Sequence, residues 1–193
     1  MNKLKIILSL LLIFIPVLLL TWCQKEEVTN TKSNTTLTQN QTESMDYIYS
    51  HPIVQKYRDI RDLPPAYNMS QAILDNSFGI WMELTNENVL EEFMKEYSEW
   101  KTSFIRAVHN SVEWDLVIYD IFYDNEKNKV TLITDFTRDK FSSKEDRVIT
   151  LTEFDHIAKY VYDYIEYRVL YDWEINDDKF RSWNVRVLAI LDV

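Results

Sequence analysis

Asp135, Arg138, Asp139 and Lys140 put four charges within six consecutive positions, beside Phe136, Thr137 and Phe141. Arg138 could offer the planar fork of its guanidinium to a carboxylate, with Lys140 as a second cation. The same four groups could equally satisfy one another and pin the exit of a strand. Arg106, Glu113 and Asp115 are counted with this cluster as ligand or structural residues. His109, Glu113 and Asp115 also supply one nitrogen and two carboxylates, donor types that suit a divalent metal. His109 and Glu113 lie four apart across an expected turn, so convergence is not built in, and solvated turn residues are the plainer reading. No metal, cofactor or catalytic residue is assigned.

Hydrolysis through a nucleophile needs an adjacent base and an oxyanion hole. Cys23 is the only cysteine, the three histidines are scattered, and there is no Gly-x-Ser-x-Gly turn. Paired carboxylates are plentiful, but a chain this acidic produces them by chance. Gly79 is the only glycine, which argues against phosphate-cradling loops and dinucleotide fingerprints. The net charge of −10 repels phosphate backbones, so nucleic acid is not an expected partner. A single cysteine allows neither an intrachain disulfide nor a cysteine-based zinc site.

The elements that must position these groups follow from periodicity. Residues 104–109 alternate as a strand, with Phe104, Arg106 and Val108 on one face. Residues 114–123 and 130–136 read as a hairpin joined by the polar run 124–129. In its first strand Val117, Tyr119, Ile121 and Tyr123 share one face and Leu116, Ile118, Asp120 and Phe122 the other, so it belongs inside a sheet covered on both sides. A helix is expected to start at Ser50-His51-Pro52 and carry Ile53, Tyr57 and Ile60 on one face. A short helix holds Ala72 and Ile73, and Ile80 to Leu84 reads as a short strand. The next helix places Val89, Leu90, Phe93, Tyr97 and Trp100 together, with Asn88 and Glu91 as a capping box. Residues 147–151 read as a strand and 152–164 as a helix, although Tyr160, Tyr162 and Tyr164 also alternate. If an exposed aromatic strip exists, Tyr160, Tyr162, Tyr164 and Tyr167 would form it. Residues 167–173 and 183–193 close the fold as an antiparallel pair. The expected class is α+β: a mainly antiparallel sheet of five to seven strands with two to four helices packed against it.

Residues 1–5 are basic and 6–20 almost purely aliphatic, the pattern of a secretory signal and short for a bilayer span. Cys23 sits where the apolar run stops, and the segment resembles the lipobox of bacterial lipoproteins, in which that thiol carries the lipid. Trp22 stands where a small residue is usual, so an uncleaved signal anchor and ordinary secretion stay open beside lipidation. Residues 23–44, rich in Thr, Asn, Gln and Ser, read as a disordered polar tether reaching about 25 Å. Residues 45–193 then form a single domain.

Tyr67 with Ala72-Ile73, Leu90 with Phe93, Ile105-Arg106, Glu113 with Asp115, Tyr123-Asp124 and Asp135-x-Thr137-Arg138-Asp139-Lys140-Phe141 occur in that order. Over residues 67–172 this series resembles a family of Gram-positive lipoproteins, domain of unknown function 4362. Trp114 replaces the glycine that the family carries between its two acids. The resemblance implies a lipid-anchored extracytoplasmic domain and brings no activity or cofactor. It also implies that a cysteine pair of many members corresponds to about Phe154 and Tyr171 or Asp172. The expected function is therefore a non-catalytic binding or accessory module, held at the membrane by a lipid or signal anchor, with another envelope protein or wall component as partner. The alternatives are an envelope enzyme or metal-dependent hydrolase using the acidic cluster, and a passive surface protein.

Overall fold

The computed structural model describes residues 37–80, 84–111, 114–162, 165–172 and 186–192, giving the backbone alone for 162, 165–168 and 186–192. The chain opens with helix α1 (Gln39–Ser50), a 3-10 turn at Ile60–Asp62 and helix α2 (Met69–Leu74). Strands β1 (Phe78–Ile80) and β2 (Leu84–Thr85) precede helix α3 (Glu87–Ser98). Six strands follow: β3 (Ser103–Asn110), β4 (Leu116–Asp124), β5 (Lys129–Asp135), β6 (Ile149–Phe154), β7 (His156–Tyr162) and β8 (Ile165–Tyr171). The last described strand is β9 (Arg186–Asp192). Six strands form one sheet in the order β2-β1-β3-β4-β5-β6, in which only β1 and β3 run parallel. Strands β7, β8 and β9 form a second, antiparallel sheet. The fold is α+β, with helices packed on the sheet.

The two apolar faces of β4 are filled from opposite sides, and every residue of the strand is buried. One face carries Val117, Tyr119, Ile121 and Tyr123, which pack with Ile105, Val130 and Leu132 under Val89, Leu90 and Phe93 of α3. Ile157 and Leu170 of the second sheet join this core. The other face, with Phe104, Val108, Leu116, Ile118 and Phe122, is covered by Met45 and Ile48 of α1 and by Val54, Tyr57, Ile60, Leu63 and Tyr67. Gly79 lies under α2: a Cβ there would stand 2.6 Å from Ile73 Cδ1, so the sole glycine admits a close helix–strand approach.

Several sequence expectations need correction. Helix α1 occupies Gln39–Ser50, so the polar tether ends earlier than residue 44. Its start is built from a capping box, in which Thr38 and Gln41 exchange side-chain and backbone hydrogen bonds. The helix expected to start at 50–52 is absent; α1 stops there instead, because Pro52 has no N–H to donate back to the preceding turn. Tyr57 and Ile60 are buried as anticipated, but from a series of turns. Asn88 and Glu91 lie inside α3, and the N-cap is Asn86, at φ 57. Its amide ties α2 to α3 instead, donating to the carbonyls of Ile73 (3.2 Å) and Ser77 (2.9 Å). Trp100 does not share the buried face of α3. It sits at φ 58, 67% exposed, while Trp100 N–H donates to Tyr97 O and Lys101 N–H to Glu96 O, closing the helix as a Schellman motif.

Residues 152–162 are not helical, and 163 and 164 lie outside the described residues. The chain passes from β6 into β7 at Asp155, which ion-pairs with Lys129 and donates its N–H to Asp172 Oδ1 at 3.2 Å. This corner splits the β-structure into two sheets where one was expected. Phe154, at the end of β6, immediately precedes that Asp155–Asp172 contact.

Candidate functional site

The turn between β3 and β4 is closed by the Asn110–Leu116 pair and by Ser111 N–H donating to Asp115 O at 2.7 Å. Trp114 N–H donates back to Ser111 O at 2.9 Å, and Ser111 Oγ accepts from Asp115 N–H at 3.2 Å. Trp114 takes the left-handed conformation, φ 72, that such a turn requires before the strand resumes. Its side chain is 64% exposed. A second loop leaves β5, where Asp135 accepts hydrogen bonds from Thr137 N–H (2.8 Å) and Thr137 Oγ1 (2.6 Å) and ion-pairs with Arg138. Asp139 in turn accepts from Phe141 N–H, Ser142 N–H and Ser142 Oγ. The hydroxyl of Ser142 is the first reason that the Asp139 carboxyl is held below its ordinary pKa. The two loops meet where Asp115 Oδ2 accepts from Lys140 N–H at 2.8 Å.

Between these loops and the segment 60–69 lies a cleft of about 540 Å³. Ile60, Leu63, Leu116 and Ile149 supply apolar lining, and Arg61, Asn110, Trp114, Asp115, Arg138 and Lys140 supply its polar and aromatic lining. Arg138 is a structural member of that wall: Nη1 bonds Asp135, and Nη2 donates to Leu63 O (3.1 Å) and Pro64 O (3.3 Å). Its Nε is buried without a partner among the described residues. Arg61 is held by Asp46 at 2.8 Å and Asp59 at 2.5 Å. Lys140 is the loosest cation, 80% exposed, with Nζ 3.6 Å from Asp115 Oδ1. Asp115, Asp135, Arg138, Asp139 and Lys140 thus lie at one corner of the fold.

Arg106 stands apart from that corner. It pairs in register with Asp120 across β3 and β4, and both are buried. Nε and Nη2 of Arg106 each meet a carboxylate oxygen at 2.6 Å, and Nη2 also donates to Arg58 O at 2.9 Å. Burial alone would lower the Arg106 pKa, but the charge and hydrogen bonds of Asp120 outweigh it and hold the value above the ordinary range. Tyr49 OH donates to Asp120 Oδ2 at 2.5 Å, and burial first, Asp120 second, pushes the phenol up. A second hollow of about 500 Å³ reaches Arg106 between Tyr57 and Tyr67. Asp120 and Tyr49 were missed as partners. Asp120 does interrupt an otherwise apolar face of β4, on the same side as Arg106, and that is the signal that pairs them.

His109 is turned to other use. Its Nδ1 lies 2.9 Å from Asn110 O, which can only accept, so Nε2, 2.9 Å from Tyr119 OH, accepts from the phenol in the neutral ring. The ring also stacks on Tyr119 with centroids 5.3 Å apart. Glu113 lies outside the described residues, as does Cys23, and no group of three His, Cys, Asp or Glu able to hold a metal occurs among those described. Tyr160 is half-buried and pairs in register with Tyr167 across β7 and β8. Tyr164 and the side chains of Tyr162 and Tyr167 lie outside the described residues. No family model, curated protein or solved structure matches the chain.

Proposed function

We propose that this chain is a membrane-tethered extracytoplasmic module that holds a ligand in the Trp114 cleft and does not transform it. The observation that carries this reading is the division of labour around the cleft. Asp135 and Asp139 are consumed by local hydrogen bonds and Arg138 by Asp135 and two carbonyls, whereas Lys140 projects with 80% exposure beside the exposed rings of Trp114 and Phe141. General acid–base work needs a titratable group aimed at a reacting atom. Recognition needs an apolar platform and a few placed charges.

The tether half of the proposal rests on the sequence: a basic start, an apolar run and Cys23. Among the described residues no helix is long and apolar enough to cross a membrane. The test is capture in whole cells from a photoreactive phenylalanine analogue at position 141, beside the cleft. A discrete adduct formed on the outer face of the membrane is expected; no adduct would remove the binding reading.

A further inference from the structure

Trp100 stands at the end of α3, where the chain turns with φ 58, a place that glycine or asparagine fills with less strain. Its N–H serves the turn by donating to Tyr97 O, but every residue except proline carries that N–H. The indole is 67% exposed and has no hydrogen bond, ion pair or ring contact among the described residues. The fold therefore uses the backbone of this residue and leaves its large ring at the surface. Its place in the domain gives the ring a use. Thr102 and Asn125 are bonded side chain to side chain, so Trp100 stands beside the β4–β5 turn. The first turns of α1 reach the same turn. Tyr47 OH donates to Asp124 Oδ2 at 2.9 Å, and Asn40 and Glu43 share a hollow with Lys127 and Lys129. The chain thus enters α1, at Thr38, on the end of the domain that carries Trp100. Strand β4 runs from this end to the Trp114 cleft, and its nine residues span about 27 Å.

We infer that this end of the domain docks on the lipid surface, with the Trp100 indole in the headgroup layer; the inference rests on the tether reading above. An apolar ring with a single N–H donor is favoured at the boundary between lipid and water. One such ring holds lipid weakly by itself, and the tether supplies the rest. Cys23 lies fifteen positions before Thr38, so covalent geometry keeps this end within about 50 Å of the proposed anchor. Docking is then an intramolecular step, at an effective concentration on the order of millimolar. Charge is not the attraction. Lys101, Lys127 and Lys129 each pair with a carboxylate already, and Glu43, Glu126 and Glu153 add further negative charge nearby. The contact is therefore made by the ring, without selection for anionic headgroups. Docked in this way, the domain carries the Trp114 cleft at the far end of β4, open to ligands from outside the membrane.

The test places a photoreactive phenylalanine analogue at position 100 of the full chain in whole cells. Mass spectrometry then reads the peptide that carries it, which excludes any lipid borne by Cys23. A phospholipid adduct is expected from position 100 and none from position 141, beside the cleft. A second variant checks that the ring itself makes the contact. With the analogue moved to the exposed Glu126 of the β4–β5 turn, Trp100→Asn should cut phospholipid capture about tenfold, as one interfacial anchor is lost. That variant stays folded, because asparagine accepts the positive φ and the indole holds nothing else in place. No phospholipid at position 100, equal yields at 100 and 141, or capture at 126 that ignores Trp100→Asn would each overturn the inference. If the chain sediments with membranes while position 100 captures no phospholipid, this inference fails and the tether stands. If the chain stays out of the membrane fraction, both fail.

Discussion

Removing the guanidinium of Arg138 would strand the Asp135 carboxylate, whose side chain is 1% exposed, and unpair the carbonyls of Leu63 and Pro64. Breaking a buried pair from one side costs about 3–5 kcal/mol, because the remaining charge is left in a poor solvent. Arg138→Ala should therefore lower the unfolding free energy measured by urea titration by that amount, with Arg138→Lys recovering only part, since an ammonium cannot bridge three acceptors with a planar fork. Unchanged stability in Arg138→Ala would contradict the pinning role. The charges of this corner were legible in the sequence because they lie three to five positions apart. That Arg138 reaches back to 63–64 was not, since a bond to a backbone carbonyl leaves no trace in residue type. Trp114 was hidden for a related reason. With one glycine in the chain, positive φ falls on Asn76, Asn86, Trp100, Trp114 and Asn128, and tryptophan gives no hint of it.

Strands β3 and β4 owe their register to matched faces and to one polar match, Arg106 opposite Asp120. The pair is fully buried and bidentate, and it sits under Tyr49 of α1, so it also fixes how that helix lies on the sheet. Arg106→Met should cost about 3–5 kcal/mol by leaving the buried Asp120 carboxylate with the Tyr49 hydroxyl and no cation. The double change Arg106→Met with Asp120→Leu should cost less, about 1–3 kcal/mol, because only the Tyr49 hydroxyl and the Arg58 carbonyl then lose partners. A double mutant as unstable as the single, by denaturant midpoint, would mean that the pair does more than satisfy itself. Elements with strict alternation, β3 to β5, were readable from spacing. Residues 152–164 were not: Phe154, Ile157 and Val161 fit a helical period, yet the backbone pairs as β6 and β7, and Val161 is 55% exposed. Tertiary pairing overrode a short and ambiguous pattern. The helix expected after Pro52 failed for a local reason, since α1 had already claimed the residues before it.

At the scale of the whole molecule, the sheet is coated on both faces, so the described surface presents loops more than sheet. The exposed aromatic residues Trp114 and Phe141 and the open cation Lys140 gather where two of those loops meet. The proposal sets this arrangement at a membrane through Cys23. Metabolic labelling with palmitate should mark the wild-type chain and not Cys23→Ala, and equal labelling of the two would remove the lipid anchor. The fold class and the charged corner could be read from the sequence, whereas the cleft required the folded chain. Its wall joins residues 60–69 to 110–116 and 137–149, which no local pattern brings together.

The central claim is that the cleft at Trp114 holds a ligand, and one paired measurement addresses it. In Trp114→Gly, relief of left-handed strain opposes the entropy that glycine gains on unfolding, so stability should stay within about 1 kcal/mol of wild type. Photo-capture from position 141 in cells should nevertheless disappear. A variant that captures as before, or one that loses capture only because it no longer folds, would contradict the account.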